Sequence, residues 1–397
     1  MREGWREASL AELARYDNGY PFKPSDLGSE GLPVVRIKQL LDPTEPVDRS
    51  TVSVPSRNRL NDGDLVFSWS GTLAVRLWDR GPALLNQHLF RVVEREGVLR
   101  EWLCIALDHA IAALGSRTHG TTMRHITKPE LERFRLVVPG LAEQRRIVDL
   151  VAAADDLASA AATEREAARI ALVALREDLI SASAFPKRPL AHLLTDIDGG
   201  YSPVTEGRRP LPGERAVLKL SAIRPARFDG AEAKAIAPDV ILPVRALVKE
   251  GDVLITRSNT PNTVGAVCRV HEVPANTYLS DLVLRLHPGP DVDGRYLAEA
   301  LNTQAARRQI TTSAKGTSGS MRKISRGTIH QFEIPLPASR QAQEQIARIL
   351  RDAGDLVEAA DSTAIRVGSL RQVLVHGLLA GARSIPSSYD RFLDGAA

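Results

Sequence analysis

The sequence predicts an α+β fold in which two mixed α/β domains are separated by two long antiparallel helices that form a coiled coil. Three observations predict it. The order of local signals in the first half recurs in the second. Each half closes on a Pro-ended strand followed by a long stretch of helical apolar spacing. The 397 residues also accommodate two domains of roughly 150 residues each with connecting helices. On this reading residues 1–140 form the first domain, 141–182 a spacer helix, 186–337 the second domain, 340–380 a second helix and 381–397 a tail.

Each half opens alike, with Leu10-Ala-Glu-Leu before Gly19-Tyr20 and Leu190-Ala-His-Leu before Gly200-Tyr201. Short apolar strands with a basic residue inside follow, Val34-Val-Arg-Ile37 and Val217-Leu-Lys-Leu220, whose alternation suits a half-exposed strand. Gly-Asp turns then lead into apolar strands, Asp64 to Phe67 and Asp252 to Ile255. The clearest match joins Gly120-Thr-Thr-Met-Arg-His-Ile126 to Gly319-Ser-Met-Arg-Lys-Ile324, with Met123 and Met321 separated by 198 positions (321 − 123). Phe134 and Phe332 keep that offset, and the strands Leu136-Val-Val-Pro139 and Ile334-Pro-Leu-Pro337 follow them.

The helices are the strongest secondary-structure signal. Ile147, Leu150, Val151, Ala154, Leu157, Ala161, Ala168, Leu172, Leu175 and Leu179 follow helical spacing, and neither Pro nor Gly interrupts Leu141 to Ser181. Ile346, Ile349, Leu350, Leu356, Val357, Val367, Leu370 and Leu378 repeat the pattern, weakened by Gly354 and Gly368. About 40 residues at 1.5 Å each give a rod of roughly 60 Å, which needs a partner along its apolar face.

Composition bounds the chemistry. Hydrophobic residues at 43% and charged residues at 25% describe a chain that can bury a core, and a net charge of +4 permits an anionic partner. Cys104 and Cys268 form no CxxC pair and flank no metal-spaced His, so a reduced, metal-free cytoplasmic protein is expected. The first dozen residues are charged throughout and show no signal-peptide core, and no apolar run reaches the roughly 18 to 20 residues that cross a bilayer. Neither a Pro-Pro-aromatic loop nor a GxxxxGK[ST] loop occurs, HExxH and GxSxG are missing, and Glu232-Ala-Lys234 lacks a preceding Pro-Asp. No catalytic residues are expected in this chain.

Positive charge gathers instead at the same place in both halves. Residues 109–129 contain no carboxylate but hold Arg117, His119, Thr121, Thr122, Arg124 and His125. Residues 300–332 likewise hold Lys315, Thr317, Ser318, Ser320, Arg322 and Lys323 without an acid. Glycines let backbone approach phosphates, hydroxyls donate to phosphate oxygens, and Arg or Lys adds charge and base-edge contacts. A solvated basic loop would explain either segment alone; recurrence favours DNA. Arg36, Lys38 and Lys219 near the early strands join this set. So do Ser68, Trp69, Ser70, Thr72, Asn86, Gln87, His88, Thr256, Arg257, Ser258 and Asn259, because Asn and Gln read adenine and Arg reads guanine through paired hydrogen bonds. Asn86 capping a turn and Trp69 in the core are the plain alternatives.

Together these features resemble the specificity subunits of type I restriction-modification systems, from about residue 5 to about residue 380. The GTTMRHI and GSMRKI segments, the Pro-ended strands and the helix openings Ala142-Glu-Gln-Arg-Arg-Ile147 and Gln341-Ala-Gln-Glu-Gln-Ile346 carry the resemblance. The second opening departs from a plain Glu-Gln after the strand, which puts partner contacts there in doubt. The resemblance implies two target-recognition domains that each read half of a split double-stranded DNA sequence, with the helices setting the gap. It implies two copies of a methyltransferase subunit docked on the helices through residues such as Gln144, Arg145, Ile147, Leu150, Leu157, Gln345, Ile346, Ile349 and Leu356. A nuclease-translocase joins them. S-adenosylmethionine, ATP and Mg belong to those partners, and no cofactor to this chain. A duplicated coiled-coil scaffold that binds only protein is the alternative, and titration with duplex DNA separates the two.

Overall fold

The computed structural model describes residues 4–117, 128–182, 185–261, 263–316 and 321–393, with helix and strand mixed throughout. The chain divides into two compact units, residues 1–162 with 363–397 and residues 163–362. Each long helix therefore contributes to both units.

In the first unit, β1 (Arg6–Ser9) turns through α1 (Leu10–Leu13) into β2 (Ala14–Asn18). Ser9 fixes the turn: its hydroxyl accepts from the Glu12 N–H at 3.2 Å while the Glu12 carboxylate accepts from the Ser9 N–H at 2.6 Å. Then come β3 (Leu32–Val35), α2 (Ile37–Leu41), β4 (Arg49–Ser50), β5 (Arg59–Leu60) and β6 (Leu65–Ser68). After them run β7 (Ala74–Leu77), β8 (Ala83–Leu85) and β9 (Leu89–Glu94). They build two four-stranded sheets, β2-β9-β6-β7 and β4-β3-β8-β5, the second holding a parallel β3/β8 pair. The unit continues with α3 (Arg100–Arg117), α4 (Lys128–Arg133), β10 (Arg135–Val138), which returns to pair antiparallel with β1, and α5 (Leu141–Arg176). Leu10, Leu13, Phe67, Trp102 and Leu107 are fully buried here with Ile147 of α5.

The second unit repeats this plan. It begins with β11 (Lys187–Pro189), β12 (Leu194–Gly199), β13 (Ala216–Leu218), β14 (Ile223–Arg224) and β15 (Arg227–Phe228). Next are β16 (Ala233–Ala235), β17 (Val253–Thr256), β18 (Ser258–Asn259), β19 (Val267–Arg269), β20 (Thr277–Tyr278) and β21 (Val283–Pro288). Its sheets β12-β21-β17-β19 and β16-β13-β20 match those of the first unit, down to a parallel β13/β20 pair. The chain then passes α6 (Gly294–Leu301), α7 (Gln304–Ser313), β22 (Arg322–Lys323), α8 (Arg326–His330) and β23 (Glu333–Pro335), which pairs with β11 as β10 does with β1. The long helix α9 (Arg340–Leu379) follows, and a short α10 (Asp390–Leu393) packs in the first unit. The phenylalanines 198 positions apart (332 − 134) do the same work, since Leu10 N–H donates to Phe134 O at 3.0 Å and Leu190 N–H to Phe332 O at 2.8 Å.

Three local expectations are corrected. The strands expected over Val34–Ile37 and Val217–Leu220 stop at Val35 and Leu218, because Arg36 and Lys219 adopt the extended cap geometry that starts a helical turn. The opening at Leu190 is a 3-10 turn, lacking the Ser cap that sets α1. Regular helix in α5 ends at Arg176, where the guanidinium donates to Glu299 at 2.7 Å, and the chain continues as a π turn through Ser181. Within the first unit Asp155 of α5 pairs with Arg371 of α9, and within the second Asp361 of α9 takes Arg169 at 2.7 Å and Arg165 at 3.9 Å. No helix among the described residues is long and apolar enough to cross a membrane.

Candidate nucleic-acid interface

In both repeats a glycine-tyrosine pair lies against the loop that enters the last sheet strand. A Cβ on Gly19 would stand 2.1 Å from the Asn86 carbonyl oxygen, and one on Gly200 would stand 2.2 Å from that of Ser280, so only glycine allows the approach. The Tyr20 N–H then donates to Leu85 O at 2.7 Å and Tyr201 N–H to Leu279 O at 3.0 Å. These bonds fix the loops Asn86-Gln87-His88 and Ser280-Asp281-Leu282 in equivalent places. The sequence reading picked out the first loop and missed the second. The Gly-Tyr repeat, extended by its strand pairing, was the signal that leads to it.

In the first unit Arg36, Ile37, Lys38, Gln39, Asn86 and His88 line an open concavity of about 290 Å³. The start of α2 supplies the first four and the β8–β9 loop the others. Arg36 is held by Asp48 at 2.7 Å, whereas Lys38 is exposed and has no ion partner among the described residues. His88 stacks obliquely on Trp69 with ring centroids 6.2 Å apart, and Trp69 packs on Phe90 at 5.6 Å. Gln87 and His88 are exposed side by side, Nε2 to Nε2 3.4 Å. The concavity thus offers the exposed Lys38 ammonium, the His88 imidazole and the apolar Ile37 side chain, with the exposed Gln87 amide beside His88.

In the second unit β18 and β22 form a small antiparallel ribbon, Ser258 opposite Lys323 and Asn259 opposite Arg322. Lys315 extends it, exchanging both backbone hydrogen bonds with Lys323 at 2.9 and 2.8 Å, while Ile324 N–H donates to Arg257 O at 2.8 Å. Arg257, Lys315, Arg322 and Lys323 therefore sit on one ribbon without a carboxylate partner among the described residues. Cations fixed this close together on backbone rungs attract a polyanion and are not neutralised from within. Lys219 stands apart from them, since Glu232 accepts from its ammonium at 3.0 Å and from Ser221 at 2.6 Å.

Residues 2–168 match the family model described as the type I restriction modification DNA specificity domain. This stretch, less than half of the chain, is similar to that domain family. The specificity subunit of the type I restriction enzyme EcoBI of Escherichia coli is 26% identical over 152 residues, which cover 38% of this chain and 32% of that protein. The matched stretch thus spans about a third of that relative. Among solved structures, a chain from work on the structural basis of complex assembly and conformational transition of the type I R-M system aligns with TM-score 0.61 and 18% identity, covering 96% of this chain and 99% of that one. The type I restriction-modification S subunit from M. genitalium aligns with TM-score 0.56 and 14% identity over 94% and 96% of the two chains. At these identities the two structures establish a shared fold.

In the two units, several residues expected to touch DNA are turned inward. Ser68 is fully buried and its hydroxyl donates to Thr72 O at 2.7 Å, which shapes the turn through buried Ser70 and exposed Thr72. Thr256 and Ser258 are fully buried as well. Asn86 is 6% exposed and its Oδ1 accepts from the His88 N–H at 3.4 Å, so it caps the turn that presents Gln87 and His88. Asn259 remains half-buried on the ribbon. The Arg117 side chain, His119, Thr121, Thr122, Arg124 and His125 lie outside the described residues, as do Thr317, Ser318 and Ser320.

The helix openings also need correction. Gln144 and Ile147 are fully buried in their own unit and Ile346 is 9% exposed, so these side chains pack within the chain. Leu150 is half-buried on the same core, while Arg145, Leu157, Gln345, Ile349 and Leu356 are exposed. Burial pushes the Cys104 thiol up to about 11 and the Cys268 thiol further still, so both are poor nucleophiles near neutral pH.

Proposed function

We propose that the chain is the sequence-reading subunit of a type I restriction-modification complex, carrying no catalytic site and presenting two different recognition surfaces to a split double-stranded DNA target. One observation carries the reading: the same two-sheet plan occurs twice, and each copy places exposed cations and hydrogen-bonding side chains beside an equivalent loop. The match of residues 2–168 to a DNA specificity domain supports the same conclusion.

On this reading the long helices act as a coiled-coil spacer that sets the number of unread base pairs between the half-sites. Their exposed apolar residues, Leu157 at 54% and Leu356 at 69%, serve as docking points for two copies of a methyltransferase subunit. That partner uses S-adenosylmethionine to methylate adenine, a nuclease-translocase adds ATP- and Mg-dependent cleavage, and the assembly works in the cytoplasm. The protein-only scaffold reading explains the helices but leaves the cation ribbon without a purpose.

The deciding experiment expresses the chain with the methyltransferase of its own system and maps methylated adenines across the host genome. A split motif with a fixed gap, lost when the chain is omitted, is the expected outcome. Methylation that does not depend on the chain would overturn the reading.

A further inference from the structure

The two repeats present chemically different side chains at one equivalent exposed position. Gln87 donates its backbone N–H to Tyr20 O at 3.1 Å, and Asp281 donates its own to Tyr201 O at 2.9 Å. Both side chains are exposed. Two cationic residues bond to the neighbours of Asp281. The Arg257 N–H donates to the adjoining Leu282 O at 2.9 Å, and the Arg245 guanidinium donates to the Tyr201 hydroxyl at 2.6 Å. Among the described residues no cation pairs with the Asp281 carboxylate.

A carboxylate repels the phosphates that nearby cations attract, so on a DNA-facing surface it is best accommodated where the duplex offers a hydrogen-bond donor. The major groove offers two such donors, cytosine N4 and adenine N6. Adenine places the N7 acceptor beside its donor. An amide, with one donor and one acceptor, pairs with both, whereas a carboxylate accepts only and sets its second oxygen against N7. Cytosine presents a donor without that adjacent acceptor.

We propose, resting on the DNA-reading function above, that Asp281 specifies a cytosine in the half-site read by the second unit and Gln87 an adenine in the half-site read by the first. The two repeats then owe part of their different specificities to one position.

The test uses the full chain with its methyltransferase, genome-wide mapping of methylated adenine, and fluorescence anisotropy on duplexes of the mapped target. Asp281→Asn is expected to move one position of one half-site from cytosine towards adenine, changing the affinity ratio roughly tenfold. Gln87→Glu should produce the reverse change in the other half-site only. Asp281→Ala should relax its position to all bases, which separates lost readout from lost folding. If the wild-type motif is present but Asp281→Asn leaves base preference unaltered, or weakens every duplex equally, the assignment is overturned while DNA reading stands. If wild-type methylation shows no motif dependent on the chain, DNA reading itself fails and the assignment falls with it.

Discussion

Gln144 and Gln343 make the same three hydrogen bonds in the two repeats. Gln144 Oε1 accepts from Leu99 N–H at 2.8 Å and its Nε2 donates to Gly97 O at 3.0 Å and Pro139 O at 2.8 Å. Gln343 Oε1 accepts from Asp293 N–H at 2.9 Å and its Nε2 donates to Asp291 O at 3.1 Å and Pro337 O at 3.2 Å. Each amide thus ties the first turn of a long helix to the Pro-ended strand before it and to the loop preceding a helix of the domain. We predict that Gln144→Ala or Gln343→Ala destabilises its unit by about 3 kcal/mol, because buried backbone groups lose their partners. Urea unfolding of each variant measures this, and a change below about 0.5 kcal/mol would contradict the tie.

Thr256 behaves as a structural hydroxyl. Its Oγ1 accepts from the Ala266 N–H at 3.0 Å inside the β17–β19 turn, and the residue is fully buried. Thr256→Val keeps the shape and removes the acceptor. The expected result is a loss of about 1 to 2 kcal/mol in stability with an unchanged DNA base preference. A shifted methylation motif in this variant would restore Thr256 to the reading surface.

The duplication was legible in the sequence because paired signals such as Phe134 and Phe332 do identical work, each accepting a backbone hydrogen bond at the domain opening. The helices were legible because their spacing runs uninterrupted for many turns. Orientation within the loops was not. Ser68, Thr256 and Asn86 are short polar residues that bond to nearby backbone as readily as to a ligand, and composition does not distinguish the two. Gln144 was misjudged for a related reason: a polar residue at a helix opening reads as surface until the loop it satisfies is placed beside it. Asp281 escaped notice because its partner position, Gln87, has a different side chain and only the shared backbone bonds to Tyr20 and Tyr201 relate them.

The β18–β22 ribbon makes a salt-dependent prediction. Lys323 is exposed and carries no ion pair among the described residues, whereas Lys219 is bound to Glu232. Lys323→Ala should weaken binding to every duplex alike and flatten the slope of log affinity against log salt by about 0.9, the release of roughly one counterion. Lys219→Ala should change it less. Anisotropy titrations of the chain with its methyltransferase at several salt concentrations decide between them, and equal effects of the two substitutions would remove the ribbon from the contact surface.

His109 of α3 and His376 of α9 meet in the first unit with His376 Nδ1 3.2 Å from His109 Nε2. Burial first, and the His376 charge second, hold His109 below its ordinary value of 6.5, against the opposing pull of Asp108. A base whose folded pKa is lowered binds fewer protons in the native state than in the unfolded chain between the two values. Stability therefore rises with pH in that window: its contribution is fully present above about 6.5 and is lost as the pH falls towards the lowered value. His109→Gln removes the proton-binding difference. We predict that the wild-type urea midpoint drops between pH 7.5 and pH 5.5 by more than that of His109→Gln. Parallel pH curves for the two proteins would show that this pair carries no part of the pH dependence.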